Sequence, residues 1–366
     1  MKNQLIYVVF LLISISACTV SDPPATPYEA GAYIINRGNF SDNNGTISYL
    51  PTSSSTAQTD IFNRVNLRPL TGGVQDYTEV DGKGLILVDN STPGQDKIEI
   101  VEAGTFRSLA TLAAPDIENP RQILRVGGNK AYVTCWGATG SFANFYPNPG
   151  YIAVISLTSN TVIKRIPVGK GPEQMTLFEN EVFVGYTDGT GEKTVTVINL
   201  LTDGLKLPSV EVGTNGNPVG VDANGKLWVY ANKEMIRVNP QSKTIEARLK
   251  VGTHPSKTPS SIVQSPDKQR FYFVYAFYDA ADNFTRKGET YRFNIADAGA
   301  SANSAAVSLF TNRLFEGLSV DPKTGNIYAG VVPSYKQAGY VLRYQPDGKL
   351  IDSVRAEIAP TKVFFK

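Results

Sequence analysis

The chain has 366 residues, 42% of them apolar, with 35 Lys and Arg against 33 Asp and Glu. A net charge of +2 offers no electrostatic footprint for nucleic acid, and the apolar fraction excludes disorder over most of the length. A single histidine, His254, rules out multi-histidine metal centres and would have to carry any Ser-His-Asp machinery alone.

Residues 1–30 read as an address and a tether. A positive start at Lys2 precedes an apolar run from Leu5 to Ile13, too short to span a bilayer and typical of a signal peptide. The run ends in Ile15-Ser16-Ala17-Cys18, which resembles the lipobox of bacterial lipoproteins, where the cysteine becomes the first residue and carries lipid. Residues 1–17 are therefore expected to be removed, with Cys18 lipidated and 18–30, holding Pro23, Pro24 and Pro27, as an extended tether. The lipobox resemblance, with Thr19 after the cysteine, implies the outer membrane; exposure at the cell surface is the expected side, with the periplasmic face as the alternative. Cys135 is then left without a disulfide partner, and its setting in Ala131-Tyr132-Val133-Thr134-Cys135-Trp136 predicts a buried thiol.

From residue 31 onward short apolar strands alternate with Gly, Asn, Asp and Pro clusters, and no useful amphipathic helix is expected. The clearest repeat is 131–135, 152–157 and 162–168, closing at Gly169-Lys170-Gly171-Pro172. It recurs at 181–185, 194–199 and 209–212, then at 226–230, 235–239 and 244–251, with looser copies on either side. One more strand falls between units, as at 121–126, 174–178 and 219–223. Seven units over residues 31–366 give 48 residues each, the size of a four-stranded propeller blade; β-helix rungs are shorter. The first unit lacks a leading strand and the chain ends with a spare one at 361–366. The predicted architecture is an all-β, seven-bladed propeller whose C-terminal strand completes the first blade.

These units resemble YncE/YVTN-type propeller repeats, through Ala131-Tyr132-Val133-Thr134, Ile152-Ala153-Val154-Ile155 and Val168-Gly169-x-Gly171-Pro172. The opening Tyr33-Ile34-Ile35-Asn36-Arg37-Gly38-Asn39-Phe40, followed by Asn44-Gly45-Thr46-Ile47-Ser48-Tyr49, is similar to the start of BtuG-type surface lipoproteins of Bacteroidota. Pro120-Arg121-Gln122-Ile123 also fits that group, whereas Arg37 stands where it commonly has Glu. The resemblance implies capture of a small extracellular ligand, a corrinoid being the named candidate, beside a TonB-dependent outer-membrane transporter.

In a propeller, the loops between second and third strands share one face with the connections between blades. Here those loops are 37–44, 90–95, 136–150, 186–193, 230–233, 277–289 and 331–339, two of them longer than a hairpin needs. The expected ligand-binding residues are Arg37, Asn39, Phe40, Asn90, Trp136, Phe142, Phe145, Tyr146, Tyr186, Asp188, Tyr230, Tyr278 and Tyr335, because aromatics gathered on one face suit a flat, partly apolar ligand. Phe277 and Phe284 lie on the same loops. No cofactor, metal or catalytic residue is expected. Two alternatives stand beside this reading. One is a metal-assisted hydrolase or lactonase using Glu173, Asn217, Asp222 and Glu316 at the channel mouth. The other is an adhesion or scaffold propeller, which predicts a flat apolar patch.

Overall fold

The computed structural model describes residues 26–52, 54–251, 258–296 and 308–366. The expected signal segment, Cys18 and His254 lie outside the described residues.

Seven antiparallel sheets form the blades. Blade three is Pro120–Arg125, Lys130–Cys135, Tyr151–Ser156 and Thr161–Pro167, paired in sequence order. The second strand of that blade explains the near-continuous apolar runs of the sequence. Ala131, Val133 and Cys135 pack toward blade two, while Tyr132 packs toward blade four, so both faces are buried. The core is accordingly a set of apolar wedges between neighbouring blades, each filled by side chains whose removal from water stabilises by roughly 1.5–3 kcal/mol apiece. Outer strands are half solvated and read as polar, as Thr161–Pro167 does.

The inner strands are Gly73–Val80, Pro120–Arg125, Pro172–Phe178, Asn217–Val221, Thr258–Gln264, Gly317–Val320 and Pro360–Phe365. The last belongs to blade one, where it pairs with Gly31–Asn36 (Ile34 opposite Val363) and completes the blade from the C-terminus. Blade one departs from the expected four strands. After Thr46–Pro51 only a bridge between Tyr49 and Gln58 marks the outer position, and the chain turns into a six-residue helix, Ile61–Asn66. This helix was not foreseen. Asp60 caps it through Asn63 N, and its Ile61 and Phe62 seal the wedge between blades one and two.

Inner strands of adjacent blades do not ladder together, and side chains tie them instead. Asp76 Oδ2 accepts from Ile123 N at 3.0 Å, Gln122 Oε1 from Met175 N, and Asn217 Oδ1 from Gln174 N at 3.2 Å. Gln264 Nε2 donates to Val221 O, Ser261 Oγ to Glu316 O, and Val363 N to Ser319 Oγ. Lys362 Nζ on Asp76 closes the ring. Blade seven admits the C-terminal strand only through glycine: a Cβ on Gly317 would lie 1.7 Å from Thr361 O.

Cys135 is buried and unpaired, as expected, and burial pushes its thiol up to about 12, leaving it inert. Among the described residues no helix is long and apolar enough to cross a membrane.

Candidate functional site

Each inner strand begins at the loop face, so its first residues ring the channel mouth. There they enclose a cavity of about 470 Å³, whose wall includes Arg37, Gln75, Arg121, Glu173, Tyr230 and Lys362. A relay of polar groups crosses one side of it. Arg37 Nη2 donates to Gln75 Oε1 at 3.0 Å, and Gln75 Nε2 donates to Asp89 Oδ2 at 3.0 Å. Arg121 Nη1 donates to the same oxygen at 3.1 Å. Arg121 Nε lies 3.4 Å from Glu173 Oε2, near enough for an ion pair but not aligned as a hydrogen bond. Trp136 Nε1 donates to that Glu173 oxygen at 3.0 Å, and the Arg121 guanidinium sits 4.0 Å from the centre of the Trp136 ring.

Burial sets the electrostatics. Asp89 is pushed up to about 6, desolvation outweighing the attraction of Arg121, and its Oδ1 is buried without a partner. Arg37 is lowered from its ordinary value, first by burial and then by Arg121. Tyr230, half-buried at the mouth, is pushed up to about 12 by burial.

Two aromatic groupings flank this cavity. Trp136, Phe145 and Tyr146 meet edge to face, with ring centres 5.0–6.0 Å apart. On the other side a second pocket, about 360 Å³, is lined by Arg37, Asn39, Phe40, Gln75 and Tyr335 with two glycines. Asn39 Nδ2 donates to Tyr335 O at 3.1 Å, joining the loops of blades one and seven.

The sequence-derived residues thus fall into distinct places. Arg37, Asn39, Phe40 and Tyr335 come together in one pocket, and Trp136, Phe145 and Tyr146 in one cluster, with Tyr230 between them in the cavity wall. Phe142 and Tyr278 project into solvent, and the Asp188 carboxylate accepts from Gly189 N in an exposed turn. Two residues are not on the face at all. Tyr186 ends the strand Glu181–Tyr186 and is 1% exposed, its hydroxyl held by Gly169 N and Thr196. Asn90 is buried, its amide on Thr71 O and its backbone N–H on Asp96, so it builds the loop instead of presenting from it. The long loop expected over 277–289 is largely a protruding ribbon, Arg270–Asp279 paired with Thr285–Asn294.

Glu173, Asn217, Asp222 and Glu316 do not meet. Asp222 lies at the opposite end of the channel under Trp228, Glu316 pairs with Arg286, and Asn217 donates to Tyr186 O. Among the described residues no group of three His, Cys, Asp or Glu is placed to hold a metal ion.

Gln75, Asp89, Arg121 and Lys362 were not singled out as site residues. A signal for three of them was present: inner strands open on Pro followed by polar residues at Pro120-Arg121-Gln122, Pro172-Glu173-Gln174 and Pro360-Thr361-Lys362, with Gln75 and Asp76 in the equivalent place.

Solved structures similar to the chain share its fold. A quinonprotein alcohol dehydrogenase-like protein from Bacteroides thetaiotaomicron aligns at TM-score 0.62 and 17% identity, covering 90% of this chain and 78% of that one. A functionally unknown protein from Desulfotomaculum acetoxidans gives 0.61 and 13%, covering 92% and 99%. Kuenenia stuttgartiensis hydrazine synthase gives 0.58 and 14%, covering 76% and 85%. At these identities the likeness is one of fold. No curated protein sequence matches the chain. A family model does match, over residues 30–358, and with nine-tenths of its length inside that match this seven-bladed propeller belongs to the DUF5074 family, a domain of unknown function.

Proposed function

We propose that this protein is a lipid-anchored, outer-membrane binding propeller that captures a small extracellular ligand on its loop face and passes it to a TonB-dependent transporter. The observation that carries the reading is the open cavity at the loop-face mouth, flanked by the Trp136–Phe145–Tyr146 cluster on one side and by Phe40 and Tyr335 on the other. The lipobox-like segment ending at Cys18 and the likeness of residues 33–49 to BtuG-type lipoproteins support the anchor and make a corrinoid the first ligand to try. Binding without catalysis fits a mouth whose acids Asp76, Asp89 and Glu173 are each engaged by a lysine, an arginine or an indole.

Calorimetry of the purified protein with cobalamin and cobinamide tests the ligand. Micromolar or tighter binding that is lost when Trp136 and Tyr146 are both replaced by Ala supports it. Heat at no concentration up to the millimolar range removes the corrinoid. Labelling with radioactive palmitate, compared with Cys18→Ala, tests the anchor, and protease shaving of intact cells tests the side of the membrane.

A further inference from the structure

Among the described residues of the mouth, Arg37 is the cation that makes no direct ion pair with a carboxylate, although Asp89 and Glu173 attract it from a distance. Arg121 pairs with Asp89 and Glu173, and Lys362 pairs with Asp76. Arg37 reaches only the neutral Gln75, which stands as a spacer between it and Asp89 and turns its amide N–H, not a charge, to the acid. Its backbone is fixed independently, by its N–H on Ala359 O. Beyond Gln75 the guanidinium has no hydrogen-bond or ion-pair partner among the described residues, and its remaining donors are not shut away from the two cavities it lines, where a ligand can take them.

Arg37 and Gln75 form the wall shared by the channel cavity and the 360 Å³ pocket. The pocket's rim is apolar and accessible, with Phe40 54% and Tyr335 45% exposed, and the Asn39–Tyr335 hydrogen bond holds the two loops at a fixed spacing. A charged floor beneath two aromatic walls selects a molecule with one acidic end and a flat apolar body. The charge count selects further. Among the described residues, Arg37, Arg121 and Lys362 stand against Asp76, Asp89 and Glu173, a neutral set in which Arg121 and Lys362 are already paired. Arg37 can therefore meet one negative charge, and a second would face Asp89 and Glu173.

We infer that Arg37 seats a single carboxylate of a small, flat ligand lodged between Phe40 and Tyr335. This deepens the ligand-capture reading and rests on it. Guanidinium and carboxylate match edge to edge, which ammonium does not reproduce.

The test uses two probes that differ only in charge, indole-3-acetate and indole-3-acetamide, titrated into the purified protein and followed by ligand-observed NMR. The acetate is expected to bind at least tenfold tighter than the amide. Arg37→Gln should erase that difference and Arg37→Lys restore part of it. Raising salt should weaken the acetate in the unaltered protein and leave the amide unmoved, a readout that stands even if the Gln variant folds poorly. Equal affinities, or a difference that survives Arg37→Gln, overturn the inference while leaving ligand capture intact. Failure of the acetate to bind also overturns it, and the cobalamin titration then shows whether the capture reading falls too.

Discussion

The two tryptophans of this chain each donate an indole N–H to a carboxylate, and they sit at opposite ends of the propeller. Trp228 is fully buried between blades five and six, and Asp222 below it has both oxygens engaged, accepting Trp228 Nε1 at 2.8 Å, Asn224 N at 2.8 Å and Lys226 N at 2.9 Å. Trp136 is half-exposed at the loop face, under an arginine and beside two further rings. Its carboxylate network ends in loose valences: Asp89 Oδ1 and Arg121 Nε are buried without a hydrogen-bond partner. The same pairing of residue types is structural where both carboxylate oxygens are engaged, and becomes a site where a buried oxygen is left over.

The largest expected difference between the two is in stability. Trp228→Ala should lower unfolding free energy by about 3–5 kcal/mol, read by denaturant melts, because it empties the wedge between two blades. A loss near that size for Trp136→Ala would mean that both indoles are structural.

Next comes the acid at the open end. The folded value of Asp89, about 6, lies above its ordinary 3.8, so the folded chain holds the extra proton. Its stabilising contribution is present below about pH 4 and is lost as pH rises through 6. Replacing it by Asn removes that dependence. The stability of Asp89→Asn minus that of the unaltered protein should climb between pH 4 and pH 7 by at most about 3 kcal/mol. Denaturant melts across that range check it, and a flat difference would mean that Asp89 is solvated.

Trp136→Ala with Tyr146→Ala should cost only about 1 kcal/mol of stability, yet weaken cobalamin binding by about tenfold or more in calorimetry. The smallest effect belongs to Phe142, which stands wholly in solvent. Phe142→Ser should leave the melting midpoint within about 0.5 kcal/mol. If it also leaves binding unchanged, the cleft ends at Phe145; if binding drops, the loop closes over the ligand.

The blades were legible because most second strands, and several third strands, are apolar on both faces and the turns between them carry Gly, Asn or Asp. Those signals are local in sequence. The helix Ile61–Asn66 was not, since six residues give fewer than two turns of periodicity and only the Asp60 cap marks its start. The site was read in part. Loop aromatics were visible as loop residues, but whether a ring at a strand end points outward is decided by register. Tyr186 and Tyr230 occupy similar places at the ends of second strands, and one is core while the other lines the mouth. The Arg37–Gln75–Asp89–Arg121 relay joins three blades across long sequence separations, and only closure of the ring brings it together.

That closure has a consequence for assembly. The strand Pro360–Phe365 follows the other described strands in chain order and takes the innermost place in the first blade. Ala359 supplies the carbonyl that fixes Arg37, and Lys362 supplies the cation beside Asp76. A chain cut after Ile358 keeps six blades in sequence and every aromatic of the face, but has no Lys362, no anchored Arg37 and no seventh wall to the cavity. The site thus depends on a segment that follows every blade in chain order: residues up to 358 alone do not assemble it.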